Sequence, residues 1–291
     1  MKTELSEIFF QVNKVPSVDL MQNAKMEFNS DNSYAIVGVW PDRQKTLNFC
    51  SDVYQLVENK AVLEPLIPVL EERFKHLDLF VSNDKDAQFS VRISPVTPTL
   101  SLRSEVTFPM VTFINSYDGK VQAQATGGLI RYFVDAKGEV QVTYSSYLKN
   151  LSFAYKFKHN NDSIYDMLEL SNKIDSYLGD FSKVTEQIEK MKQFEISEKK
   201  VSKFLEKMAN GTIFPLKELE ETKERVIYES MILDRNPNLW TIYNAMNYIT
   251  ENSEKSLTKK MRMDVDAKIY VNMLEYMESI NKRVEKKLIA A

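Results

Sequence analysis

Val106-Thr107-Phe108-Pro109-Met110-Val111-Thr112-Phe113-Ile114, then Asp118-Gly119, then Val121-Gln122-Ala123-Gln124-Ala125-Thr126: these residues decide the fold class. The first run is apolar and β-branched, the composition of a strand packed among neighbours. Asp-Gly supplies the positive φ that a tight hairpin turn requires. Beyond it, apolar and polar residues alternate, so a second strand returns with one face inward. Gly127-Gly128 predicts a break or a bulge, and Leu129-Ile130-Arg131-Tyr132-Phe133-Val134 resumes the apolar pattern. Asp135-Ala136-Lys137-Gly138 turns the chain again. Val140, Val142 and Tyr144 then alternate with Gln141 and Thr143. Residues 106–158 therefore read as an antiparallel meander of three or four strands. Pro109 has no N–H for a ladder, which predicts an edge or a bulge there.

Toward the N-terminus, Ser33 to Trp40 reads as a buried strand, stopped by Pro41-Asp42. Lys45 to Cys50 reads as its hairpin partner. Leu63, Leu66, Ile67, Leu70, Phe74 and Leu77 recur at three- and four-residue steps, which predicts a helix over 62–77. Pro65 suits its first turn, while Pro68 argues against an unbroken helix. Leu77–Val81 and Gln88–Ile93 add strands before the break at Pro95-Val96-Thr97-Pro98. The expectation is one antiparallel sheet over 33–158 with the helix across a face. Residues 1–30 offer only an amphipathic hint in Leu5, Ile8 and Phe9.

Toward the C-terminus, Asn160-Asn161-Asp162-Ser163 forms a polar joint. Met167, Leu170, Ile174, Tyr177, Phe181, Val184, Ile188 and Met191 then make a heptad stripe. Two arrangements fit it: an intermolecular coiled coil, or a long helix packed on its own domain. Further helices are expected over 197–208, 216–232, 239–249 and 256–288. The class is α+β: an antiparallel sheet with a packed helix in the N-terminal half, and a helical C-terminal half. The domains are expected at 1–160, strand-rich, and 161–291, helical and either packed on the first or mediating assembly.

Composition excludes several functions. In 291 residues, 43% are hydrophobic and 27% charged, which is ordinary for a globular protein. Cys50 is the one cysteine, so an intramolecular disulfide or a cysteine-rich zinc site is excluded. No window approaches the roughly 18–20 apolar residues that a membrane span needs, and the patch at Ile8-Phe9-Phe10 is too short for a secretion signal. The cytoplasm is the default compartment. Net charge is −3, unlike the basic excess of a dedicated duplex binder. There is no phosphate-cradling glycine loop, and His76 and His159 make no metal-ligand spacing. No cofactor, metal or catalytic residue is expected, and an enzyme is the least favoured class.

One constellation carries chemistry. Lys120, Arg131, Tyr132, Tyr144, Tyr147, Lys149, Tyr155, Lys156 and Lys158 interleave rings and cations over the meander. Rings stack bases of any sequence and cations meet phosphates, so Lys120, Arg131, Tyr132, Tyr144, Lys149 and Lys156 are the candidate single-strand binding face. The plainer reading makes the tyrosines half-buried strand residues and the lysines edge protection.

Four segments in order resemble one family. They are Val53-Tyr54-Gln55-Leu56-Val57-Glu58-Asn59 before a helix; Phe113-Ile114-Asn115-Ser116-Tyr117-Asp118-Gly119, followed by the strand Ile130-Arg131-Tyr132-Phe133-Val134; Lys158-His159-Asn160; and Leu239-Trp240-Thr241-Ile242-Tyr243-Asn244-Ala245 through Thr250. Over about 33–255 they are similar to the phage/plasmid-like protein family, a domain of unknown function (number 932). Tyr117 stands where that family usually has histidine, Asn247 where it has threonine, and the family's cysteine after the arginine strand is absent. The resemblance implies a mobile-element protein, phage-encoded, acting in a bacterial host cytoplasm. Its layout is broadly like the single-strand annealing fold, an analogy of fold alone. Two functions follow as expectations. One is single-stranded nucleic-acid binding or annealing, with self-assembly. The other is a protein-interaction or virion-associated factor whose partner is itself or a phage or host protein.

Overall fold

The computed structural model describes residues 5–17, 34–84, 87–96, 99–145, 153–157, 163–210, 218–252 and 259–289. In chain order the strands are β1 (Gln11–Pro16), β2 (Tyr34–Val39), β3 (Gln44–Cys50), β4 (Leu77–Asp84), β5 (Gln88–Pro95), β6 (Glu105–Ser116), β7 (Gln124–Val134), β8 (Val140–Ser145) and β9 (Ala154–Lys156). The helices are α1 (Asn59–Phe74), between β3 and β4, and then α2 (Ser163–Gly179), α3 (Phe181–Gln193), α4 (Glu198–Ala209), α5 (Leu219–Ile232), α6 (Leu239–Asn252) and α7 (Lys259–Ile289). The α+β class holds: antiparallel sheets come first and helices follow.

The strands make two sheets, not the single one expected over 33–158. A three-stranded sheet runs β1-β2-β3, and a six-stranded sheet runs β4-β5-β6-β7-β8 with β9 also on β7. The difference begins with β1, which pairs along β2 from Gln11↔Val39 to Pro16↔Tyr34 and completes a separate meander. β3 holds β2's other side through a bulge at Ile36/Val37. The meander over β6, β7 and β8 keeps the expected order, though β7 begins at Gln124 and leaves Val121, Gln122 and Ala123 in the connection from β6; Gly119 and Gly138 both take positive φ. β6 is not the edge strand that Pro109 suggests, for it lies between β5 and β7, but β5 pairs with it only from Ser116 to Val111, so Pro109 lies beyond that ladder.

Pro68 does not interrupt α1. Glu64, whose carbonyl loses its partner there, is on the exposed side, where water can replace the lost donor. Lys75 ends the helix at φ +65, its N–H bonded to the Glu71 carbonyl, so Leu77 already belongs to β4. Gly127-Gly128 does not break β7. A Cβ on Gly127 would sit 2.8 Å from the Phe153 ring and 3.1 Å from Tyr177, so this glycine admits aromatic packing. The heptad stripe is split between α2 and α3 at Gly179-Asp180. Leu170, Ile174, Tyr177, Val184, Ile188 and Met191 are all buried within the chain.

The chain divides into two compact units that interleave along the sequence. The first is Met1–Val96, Met110–Thr126 and Ala154–Asp175; the second is Thr97–Pro109, Gly127–Phe153 and Ser176–Ala291. The first unit's core includes Ile8, Ile36, Leu63, Leu66, Leu70, Phe89, Val91 and Phe113, all buried. The second is organised around α6, which is buried on nearly every side, as a helix apolar all round must be. Asn238 caps it, its Oδ1 accepting the Thr241 N–H at 2.9 Å. Val184, Ile188, Met191, Phe204, Leu205, Ile269, Tyr270 and Met273 complete that core.

Candidate nucleic-acid interface

Two of the expected binding residues have no surface to offer. Arg131 is 0% exposed and Tyr132 is 2% exposed. β7 is buried along almost its whole length, so both parities of the strand face packed neighbours, and neither side chain can meet a base or a phosphate as placed. Tyr144 is half-buried, and its carbonyl accepts a hydrogen bond from Asn247 Nδ2. Lys120 and Lys156 are exposed. Lys149 and the Lys158-His159-Asn160 segment lie outside the described residues.

Arg131 instead anchors a buried ionic cluster. Its Nε donates to Glu105 Oε2 at 2.9 Å and its Nη1 to Glu229 Oε2 at 2.8 Å. Glu229, fully buried on α5, also accepts from Arg225 Nε at 2.7 Å. Glu105 accepts from Arg235 at 2.8 and 3.1 Å and lies 3.2 Å from Lys192 Nζ. Four cations thus surround two carboxylates. Burial alone would raise the Glu105 pKa, but Arg131, Arg235 and Lys192 outweigh it and hold the carboxyl well below the ordinary range. The Arg225 guanidinium lies 4.0 Å over the Tyr248 ring, and that of Arg131 lies 4.6 Å over Phe133. The partners of Arg131 are remote in sequence. The legible signal was an arginine inside an apolar strand, which requires buried carboxylates somewhere.

The other recognisable segments also act as latches. Asn115 Nδ2 donates to the Val57 carbonyl at 2.8 Å and to Asn59 Oδ1 at 2.9 Å. Tyr117 OH accepts the Asn59 N–H at 2.9 Å, satisfying a free donor at the start of α1. Burial pushes the Tyr117 phenol up. Thus Val57 and Asn59 of one segment are tied to Asn115 and Tyr117 of another. Ser116 stays local: its Oγ donates to the Val121 carbonyl and accepts the Val121 N–H. Asn244 donates to the Trp240 carbonyl at 2.7 Å and accepts from Thr143 at 3.3 Å, joining α6 to β8. Tyr243 and Ser145 both bond Asp266, all three buried.

A polar rim remains in the first unit. Lys156 lies opposite Gln124 in the β7–β9 ladder, so their side chains share a face. Gln122 and Lys120 follow at the same parity and are exposed, while Val121, Ala123, Ala125 and Tyr155 turn inward. Lys120 Nζ is 3.2 Å from Asp118 Oδ2 at 69% side-chain exposure, a contact worth little in water. Burial would raise the Asp118 pKa, but hydrogen bonds from Gln88 and Lys120 hold it below the ordinary value. A Cβ on Gly119 would stand 3.1 Å from Asn48 Nδ2, which brings β3 to this turn. The next residue on β3, Phe49, is 42% exposed and was not expected as a site residue. Among the described residues, no group of three His, Cys, Asp or Glu side chains could hold a metal ion. No helix among them is long and apolar enough to cross a membrane.

The sequence matches the model of a family described as Domain of unknown function (DUF932) over residues 46–273, beyond the C-terminal limit that the four segments suggested. Neither the curated proteins nor the solved structures give a match.

Proposed function

We propose that this chain, a member of the family described as Domain of unknown function (DUF932), binds single-stranded nucleic acid with little sequence preference. In this reading it is a mobile-element protein at work in a bacterial host's cytoplasm. The observation that carries the reading is the rim of Lys120, Gln122, Gln124 and Lys156, set over the buried row Val121, Ala123, Ala125 and Tyr155. Cations meet phosphates, and the glutamine amides both donate and accept, so they suit any base edge. Phe49 is also exposed, but it follows Asn48 on β3 and so points to the opposite face from the residue that meets this turn, and it is not counted with the rim. The binding face is therefore smaller than the six residues read from sequence, because Arg131 and Tyr132 belong to the interior.

Fluorescence anisotropy with a labelled single-stranded oligonucleotide tests this at low salt. Lys120→Ala/Lys156→Ala should bind several-fold more weakly than wild type. Phe49→Ala, on the opposite face of β3 from Asn48, should bind like wild type. Wild type that does not bind, or variants that all bind alike, would sink the reading in favour of a protein-interaction factor.

A further inference from the structure

We propose that the lysine face of α4 is a second contact surface for the phosphate backbone of a single strand. The choice of nucleic acid as the polyanion rests on the function proposed above. α4 buries Val201, Phe204, Leu205, Met208 and Ala209 and exposes Lys199, Lys200, Lys203 and Lys207. At about 100° per residue, the four lysines fall within an arc of about 100°. Glu206 only borders that arc and Glu198 lies well round from it.

Exposed lysines on helices are usually solvated and unremarkable. Several elsewhere in this chain carry carboxylate partners three or four residues away: Lys60 with Glu64, Lys173 with Glu169, Lys183 with Asp180 and Lys223 with Glu220, whereas, among the described residues, Lys190 and Lys268 stand singly without one. Among the described residues, Lys199, Lys200 and Lys203 have no such partner. Lys207 is positioned by a ring instead, its Nζ 4.4 Å over Tyr276. In a chain of net charge −3, this face gathers four lysines with only Glu206 at its border.

The spacing fits a charged line. Lys199 and Lys207 are separated by about 12 Å of helix rise. A stacked strand presents a phosphate roughly every 3.4 Å, so about four phosphates lie along that length. Four cations meeting four phosphates would release counterions and make binding steeply salt-dependent.

The test uses the full chain and the labelled single-stranded oligonucleotide. Lys199→Ala/Lys200→Ala/Lys203→Ala should melt like wild type, because all three side chains are exposed. Its affinity should fall at least several-fold at low salt. Its slope of log affinity against log salt should shallow by about 2, three contacts at about 0.7 each. The matched triple arginine variant should keep both affinity and slope. If the alanine triple keeps wild-type affinity and slope while the Lys120/Lys156 variant loses them, the α4 proposal is overturned and the rim stands; the lysine face would then suit an acidic protein segment. If the alanine triple loses affinity while the Lys120/Lys156 variant binds normally, α4 stands and the rim does not.

Discussion

Glu229→Gln should destabilise the protein more than Arg131→Met, although the two residues form one ion pair 2.8 Å long. The asymmetry follows from counting charges in the buried cluster. Arg131, Arg225, Arg235 and Lys192 surround Glu105 and Glu229. Removing Arg131 leaves Glu229 paired with Arg225, and Glu105 paired with Arg235 and Lys192, so no carboxylate is stranded. Removing the Glu229 charge leaves four cations around one carboxylate: Arg131 keeps only Glu105, and Arg225, largely buried, loses its carboxylate. Stranding a buried charge costs on the order of 3–5 kcal/mol, whereas deleting a charge whose partners keep other partners costs about 1–3 kcal/mol. Against a typical stability of about 5–15 kcal/mol, the first is a large loss. Urea unfolding midpoints at unchanged slope would measure both. Arg131→Met/Glu229→Gln should recover part of the Glu229→Gln loss, since it removes one of the excess cations. Equal losses, or a larger loss for Arg131→Met, would refute this account of the cluster.

Three further outcomes are expected. Glu105 has a lowered pKa in the folded state, so its contribution is present above the unfolded carboxyl's pKa of about 4.3 and is lost as pH falls toward the folded value; the stability gap between wild type and Glu105→Gln should be full at pH 7 and narrow below about pH 4, as read by denaturant titrations across that range. Tyr117→Phe removes the acceptor for the Asn59 N–H in a buried setting and should cost about 1–3 kcal/mol by thermal or chemical unfolding, with no change if the latch is idle. Gly119→Val forces a β-branched residue to φ +72 beside Asn48 and should cost about 1 kcal/mol or more, whereas a fully stable variant would show that the turn relaxes freely.

The meander was legible because its signals are local. Alternation over 121–126 and 140–144 and the pairs Asp118-Gly119 and Lys137-Gly138 each depend on a few adjacent residues, and both glycines take the positive φ that the turns require. β1 was not legible: Gln11-Val12-Asn13-Lys14-Val15-Pro16 is short and ends in proline, and it becomes a strand through pairing with β2. Nor was the fate of Arg131 and Tyr132, because alternation reports exposure only for a strand with one wet face. β7 has buried neighbours on both faces, so parity could not tell which side chains reach water. The lysine spacing of α4 was visible in the sequence. What needed three dimensions was that, among the described residues, Lys199, Lys200 and Lys203 form no ion pair, although Glu206 lies three residues from Lys203.

Single-strand binding is tested most directly by titrating the wild-type chain with a labelled single-stranded oligonucleotide across a salt series. Four or more phosphate contacts predict a slope of log affinity against log salt of about −3 or steeper, and similar affinities for unrelated sequences. No binding at low salt, or an affinity that salt does not change, would contradict the account.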